Sequence, residues 1–211
     1  MKAPIFNLQG ENVGEMTLSA KIFDIKDKDE LIANSIRIFQ SNSRTAHAKV
    51  KDRGEVAGTT KKMWAQKGTG RARHSTAKVG IFVGGGSVHG PQGNQNYKLR
   101  LNKKVKKLAF NAILSKFAQN KSIIVIDQFK PLIPKTKEGS ILIDKLGKAN
   151  EVLAKSKKIA IITKSTQPNV KRAFNNIPGI NPLSLNSINL YNLSNQNFLI
   201  ISQKAIEKLN K

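Results

Sequence analysis

The 211-residue chain contains no cysteine. Disulfides and thiolate metal sites are thereby excluded together, and the absence fits a reducing compartment. Long apolar runs are also missing. No stretch approaches the 18 or so consecutive apolar residues of a transmembrane helix. The opening residues, MKAPIFNLQGENVG, turn polar without an uninterrupted apolar segment, which argues against a secretory leader. Acids are the scarcest class relative to their counterparts. Thirteen Asp and Glu face 37 Lys and Arg, giving a formal net charge of +24. A solubilising surface mixes both signs. A compact chain with this imbalance repels itself and calls for a polyanion, with nucleic acid expected ahead of an anionic membrane or an acidic protein.

The imbalance is local. Between Val56 and Ile126 there is no Asp or Glu, yet there are fourteen Lys or Arg. Its densest part, KKMWAQKGTGRARHSTAKVG at 61–80, holds six cations and the only tryptophan of the chain. Arginine presents a planar fork matched to phosphate, and lysine a mobile point charge. Lys61, Lys62, Lys67, Arg71, Arg73 and Lys78 are therefore candidate RNA contacts. Gly68 and Gly70, with Gly84, Gly85 and Gly86 further on, let backbone approach another surface. Trp64 has two readings, a ring that stacks on a base or wedges into a groove, and a local hydrophobic anchor on the protein body.

Hydrophobic periodicity surrounds this region without entering it. Residues Ile5 to Leu18 read as a hairpin about Gly10. Asp27 and Glu30 resemble a capping box ahead of a helix whose face is Leu31, Ile32, Ser35, Ile36 and Phe39. After Gln40 the period stops. It resumes behind Asn102, a candidate N-cap, through Val105, Leu108, Ala109, Ala112, Ile113 and Phe117. Buried strands are expected at SIIVID, KIAIIT and NFLII, with a weaker one at Ile180–Leu183. Helices are expected from Lys135 to a glycine stop at Gly147, over Asn169–Asn175, over Asn186–Leu193, and after Ser202 as cap.

The alternation implies an α/β fold with a parallel sheet and flanking helices. The expected organisation is a globular domain of residues 1–44 and 98–211, with 45–97 inserted as a long, extended basic loop. Aperiodic segments of that length in compact domains are usually functional or disordered.

Competing chemistries fail on composition. GGGSVHG follows an apolar run, but position 89 is His where a dinucleotide fingerprint beginning at Gly84 needs Gly. No P-loop Gly-Lys-Ser/Thr occurs. His47, His74 and His89 all lie in the loop, and the cysteines or carboxylates that a metal site wants nearby are absent from Val56 to Ile126. No cofactor and no catalytic group are expected. On the return from the loop, Lys98, Arg100, Lys103, Lys104, Lys106 and Lys107 run into the first turns of a helix. Cations there oppose the helix dipole at some tenths of a kcal/mol each, so a phosphate-facing role is the better reading.

KKMWAQKGTGRAR, GGGSVHGP and YKLRLNKKVKKLAFNAILS, in this order, resemble bacterial-type large-subunit ribosomal protein four. KTK at 135–137 and SINLYNL…FLIISQKAIEKL extend the resemblance over nearly the whole chain. It implies a non-enzymatic α/β body on the solvent side of the large subunit and a loop threading rRNA to the nascent-peptide exit tunnel. Ala65, Gln66, Lys67, Gly68, Thr69, Gly70 and Arg71 would then line the tunnel beside large-subunit protein twenty-two, near the nascent peptide. The implied location is the ribosome, cytoplasmic or organellar, with no membrane partner. Met63 and Ala65 stand where the family usually has Pro and Arg, and Phe82 and Val83 where it commonly has Trp-Arg. Neither Ala65 nor Val83 can make an arginine's phosphate contact. The rival readings, an RNA-modifying enzyme and a DNA-compacting protein, are separable by competition between rRNA and duplex DNA at defined salt.

Overall fold

The computed structural model describes residues 1–26, 28–129 and 133–210. The chain falls into two compact units, Met1–Phe39 with Arg100–Lys211, and Gln40–Leu99.

In the first unit a six-stranded sheet carries the fold. Its strands are β1 (Lys2–Phe6), β2 (Asn12–Thr17), β3 (Ile123–Ile126), β4 (Ile159–Thr163), β5 (Ile180–Ser184) and β6 (Phe198–Ser202). They lie in the order β2-β1-β3-β6-β4-β5. β1 and β2 form the antiparallel hairpin expected at the N-terminus, and every other pairing is parallel. The expected α/β class is therefore present, mostly parallel with one antiparallel edge.

The apolar runs explain themselves once the sheet has two covered faces. β3, β4 and β6 are buried at every position. Their side chains alternate between two cores, as the pleat requires. Ile123, Val125, Ala160, Ile162, Leu199 and Ile201 enter one. Ile124, Ile126, Ile159, Ile161, Phe198 and Ile200 enter the other. The first core is closed by α1 (Ala20–Phe23), α2 (Asp29–Ser43), α3 (Lys103–Gln119), α7 (Leu190–Ser194) and α8 (Gln203–Asn210). The second is closed by α4 (Thr136–Ala149), α5 (Glu151–Lys155) and α6 (Pro168–Phe174). Two prolines fall where a strand can spare an amide. Pro182 sits in the edge strand β5, and Pro4 precedes the two β1 residues that pair with β3.

Within the first unit, Ser115 joins α1 to α3. Its buried hydroxyl accepts from the Ile25 amide at 3.0 Å and reaches the Ile22 and Asn111 carbonyls at 3.1 and 2.9 Å. An ion pair between Asp29 and Lys116 links α2 to α3.

Several boundaries differ from the sequence expectation. α4 runs through Gly147 to Ala149. A helical glycine costs only about 1 kcal/mol relative to alanine, less than the burial of Leu142 and Leu146 supplies. The stop comes at Asn150, whose extended backbone and side-chain bonds to the amides of Val152 and Leu153 start the unforeseen α5. α7 begins at Leu190 rather than Asn186 because Asn189 supplies the cap, accepting from the Asn192 amide at 2.8 Å. Asn102 has the extended backbone of an N-cap but makes no side-chain cap bond. Ser202 ends β6, and among the described residues its buried hydroxyl has no partner and does not cap α8. Asp27 of the expected capping box lies outside the described residues.

Candidate nucleic-acid interface

The unit Gln40–Leu99 holds eleven Lys or Arg against two acids, a net +9. Both acids already have work inside it. Asp52 Oδ1 accepts from the amides of Gly54 and Glu55 at 2.7 and 2.9 Å, closing a turn. Glu55 pairs with Lys49 at 2.8 Å. This partner holds the Lys49 ammonium above its ordinary value, first through the hydrogen bond and then through charge attraction. No acid within the unit remains for the cations of 61–98.

Beyond the end of α2, the unit has a short internal frame in place of helix or sheet. The Val50 amide donates to the Pro91 carbonyl and the Ser87 amide to the Lys51 carbonyl, each at 2.9 Å. Lys49 and Gln92 form an isolated bridge. Gly86 is buried here because there is no room for anything larger. A Cβ on it would lie 2.2 Å from the Arg53 nitrogen and 2.4 Å from the Asp52 carbonyl carbon. Gly85 is equally confined, 2.0 Å from the Val79 oxygen. Of the three expected RNA-facing glycines in this run, these two serve the packing of the unit itself. Gly84 alone is open, with positive φ and nothing within 4 Å.

The ends of the unit are tied to each other. Ser41 Oγ donates to the Tyr97 carbonyl at 2.6 Å. Asn42 gives its Nδ2 to the Leu99 carbonyl and accepts the Leu99 amide, at 3.1 and 2.7 Å. Arg44 lies 4.2 Å over the Tyr97 ring. None of these five residues was singled out from sequence, since their partners lie more than fifty positions away.

At the other extreme is a closed tip. The Met63 amide donates to the Ser75 carbonyl at 2.9 Å, and Trp64 Nε1 donates to the Ala72 carbonyl at 2.9 Å. The Trp64 ring meets His74 edge to face at 5.6 Å, and His74 meets Phe82 at 4.9 Å. Arg71 stands 5.8 Å from the indole. Trp64 is thus half-buried in a local cluster within the second unit. The Phe82 departure supplies the last ring of that cluster, while Val83 is fully exposed.

Seven residues, Ala65 to Arg71, form the exposed loop that this closure encloses. Gly68 and Gly70 take φ of +83° and +62° with nothing within 4 Å of a Cβ position, so their freedom serves the turn. Lys61, Lys62, Lys67, Arg71 and Arg73 are exposed, and Lys78 is partly covered. Lys62 reaches Gln66 at 2.7 Å.

In the first unit, Arg100, Lys103, Lys104 and Lys107 are exposed about the start of α3, whose first turn has no acid. Lys98, also exposed, belongs to the second unit. Among the described residues no group of His, Cys, Asp or Glu is gathered to hold a metal ion. No described helix is long and apolar enough to cross a membrane.

Comparison with known proteins gives a consistent result. The model of the ribosomal protein L4/L1 family matches residues 16–211. The chain is 33% identical over 204 residues to the large ribosomal subunit protein uL4 of Halothermothrix orenii, covering 97% of this chain and 94% of that protein. It is 34% identical over 208 residues to the uL4 of Heliobacterium modesticaldum, covering 99% and 97%. Against the uL4 of Mycoplasma mycoides subsp. mycoides it is 33% identical over 205 residues, covering 97% and 96%.

Proposed function

The chain belongs to the ribosomal protein L4/L1 family, and from that premise we propose that it is a non-catalytic constituent of the large ribosomal subunit that binds large-subunit rRNA and supports subunit assembly. Residues 45–97 act as the rRNA-binding loop inserted in a body of 1–44 and 98–211. Its tip, Ala65 to Arg71, reaches the nascent-peptide exit tunnel beside large-subunit protein twenty-two.

One observation carries this reading. In Gln40–Leu99 both acids are engaged internally, leaving the cations of 61–98 with no acid of their own unit to pair with. Such a segment lowers its self-repulsion against a polyanion. Lys61, Lys62, Lys67, Arg71, Arg73, Lys78 and Lys98 contact phosphates. Arg100, Lys103, Lys104 and Lys107 do so from the first unit.

Binding of a large-subunit rRNA fragment, with duplex DNA as competitor over a salt series, tests the reading. Preference for the rRNA with a steep salt slope is expected. Equal preference for duplex DNA would favour a DNA-compacting protein, and failure to co-sediment with large subunits would remove the ribosomal placement.

A further inference from the structure

Lys103, Lys106 and Lys107 follow the i, i+3, i+4 spacing that puts residues on one face of α3. There they rim an open groove of about 370 Å³ in the first unit. The groove is floored by Phe110, Leu185 and Ile188, which pack on the outside of the first core and remain partly uncovered. Leu209 and Leu190 complete the apolar lining. No acid lines it, and none of the three lysines is in an ion pair among the described residues.

We propose that this groove seats one unstacked nucleobase of a single-stranded RNA segment, with the three lysines on its flanking phosphates. The proposal rests on the RNA-binding reading above and adds a contact of another kind, a base in place of a phosphate. Single-stranded RNA is recognised where a base leaves its stack onto apolar or aromatic surface while cations hold the backbone. Both halves of that arrangement meet here. The volume is at the small end for ligand sites, suited to one ring system more than to a ridge of helical side chains. Asn189 supplies a polar group at the wall. Its carbonyl oxygen is engaged by the Asn192 amide, and its NH₂ makes no hydrogen bond among the described residues, leaving a donor for a base edge.

The test uses the full chain with two probes, a short oligoadenylate and inorganic polyphosphate, which share charge but differ in having bases. With oligoadenylate, ring current should move the methyl resonances of Leu185 and Ile188, and polyphosphate should leave them in place. The Leu185→Ala/Ile188→Ala variant, checked for an unchanged fold by circular dichroism, should lose about fivefold or more in oligoadenylate affinity, with polyphosphate affinity and salt slope unaltered. The Lys103→Gln/Lys106→Gln/Lys107→Gln variant should weaken both probes and flatten the slope. Methyl groups that respond equally to polyphosphate, or ignore an oligoadenylate the chain does bind, would overturn the base seat while leaving the rRNA reading intact. A stronger methyl response to an acidic amphipathic peptide would give the groove to a protein and overturn it too. If the native chain fails to bind the large-subunit rRNA fragment, the reading beneath the proposal falls with it.

Discussion

Removing the edge of the His74 ring should open the tip. Besides the Met63–Ser75 backbone bond, the closure of residues 65–71 stands on three interactions of Trp64: the indole bond to the Ala72 carbonyl, the edge-to-face pair with His74, and Arg71 near the ring. A net hydrogen bond contributes about 1 kcal/mol, an aromatic pair about 0.5–1.5, and an exposed cation–π interaction about 0.5. Together these contribute about 2–3 kcal/mol to the closed tip, or roughly 30- to 150-fold in the closed-to-open ratio. His74→Ala removes the aromatic share and with it Phe82's purchase on the cluster, an expected fall of about 3- to 10-fold in that ratio. Trp64 is the only tryptophan, so its emission reports this site alone. In the variant the emission should move to the red and acrylamide should quench it more strongly, in free protein and without RNA. Trp64→Phe, which keeps a ring but loses the N–H donor, should bind rRNA several-fold more weakly, because the loop must then be ordered on binding. An emission in the native protein already that of a solvated indole, indifferent to His74→Ala, would refute the closure and return Trp64 to direct base stacking.

The remaining expectations concern charge, loop packing and core. Arg71→Ala/Arg73→Ala should weaken rRNA binding and flatten its salt dependence, by roughly 0.9 in slope for each phosphate no longer neutralised if B-DNA behaviour carries over; an unchanged slope would make both residues bystanders. Gly86→Ala should cost about 1–3 kcal/mol of local stability, since its Cβ would strike the backbone of Asp52 and Arg53. Amide exchange at Ser87, which donates to Lys51, is the reporter, and unaltered protection there would count against the internal frame of this unit. Leu146→Ala, at a fully buried position of the second core, should cost about 2–5 kcal/mol by denaturant unfolding, and a decrease of less than about 1 would contradict the packing.

The parts of this molecule legible in its sequence are those where one interaction dominates. β3, β4 and β6 are continuous apolar runs, and only a sheet covered on both faces accepts them. Gly147 and the helix expected from Asn186 misled because a glycine weakly disfavours helix and the cap of α7 lies further on, at Asn189. Asn150 and Asn189 cap because each has an extended backbone that lets its side chain reach the first turn's amides. In the basic segment the cations were plain, while the arrangement that presents them was not. His74 and Phe82 carry no periodicity that points to Trp64, and the Asn42–Leu99 tie spans 57 positions. Gly85 and Gly86 look the same as Gly68 and Gly70 in sequence. Backbone neighbours alone distinguish a glycine that must be small from one that must turn.

The placement of Pro182 bears on the life of the chain before it meets RNA. A sheet edge with free amides and carbonyls is a template onto which another copy can add a strand and begin a fibre. β5 ends the sheet on one side, and its middle residue has no amide to offer. β2 ends it on the other side, with Gly14 and the Lys2–Glu15 ion pair along its short length. Strand addition at either margin thus meets a missing donor or a charged side chain, while copies bearing +24 repel one another at a distance. A newly made chain of this kind can stay monomeric at high concentration, and the same proline that made β5 faint in the sequence keeps its sheet six strands wide.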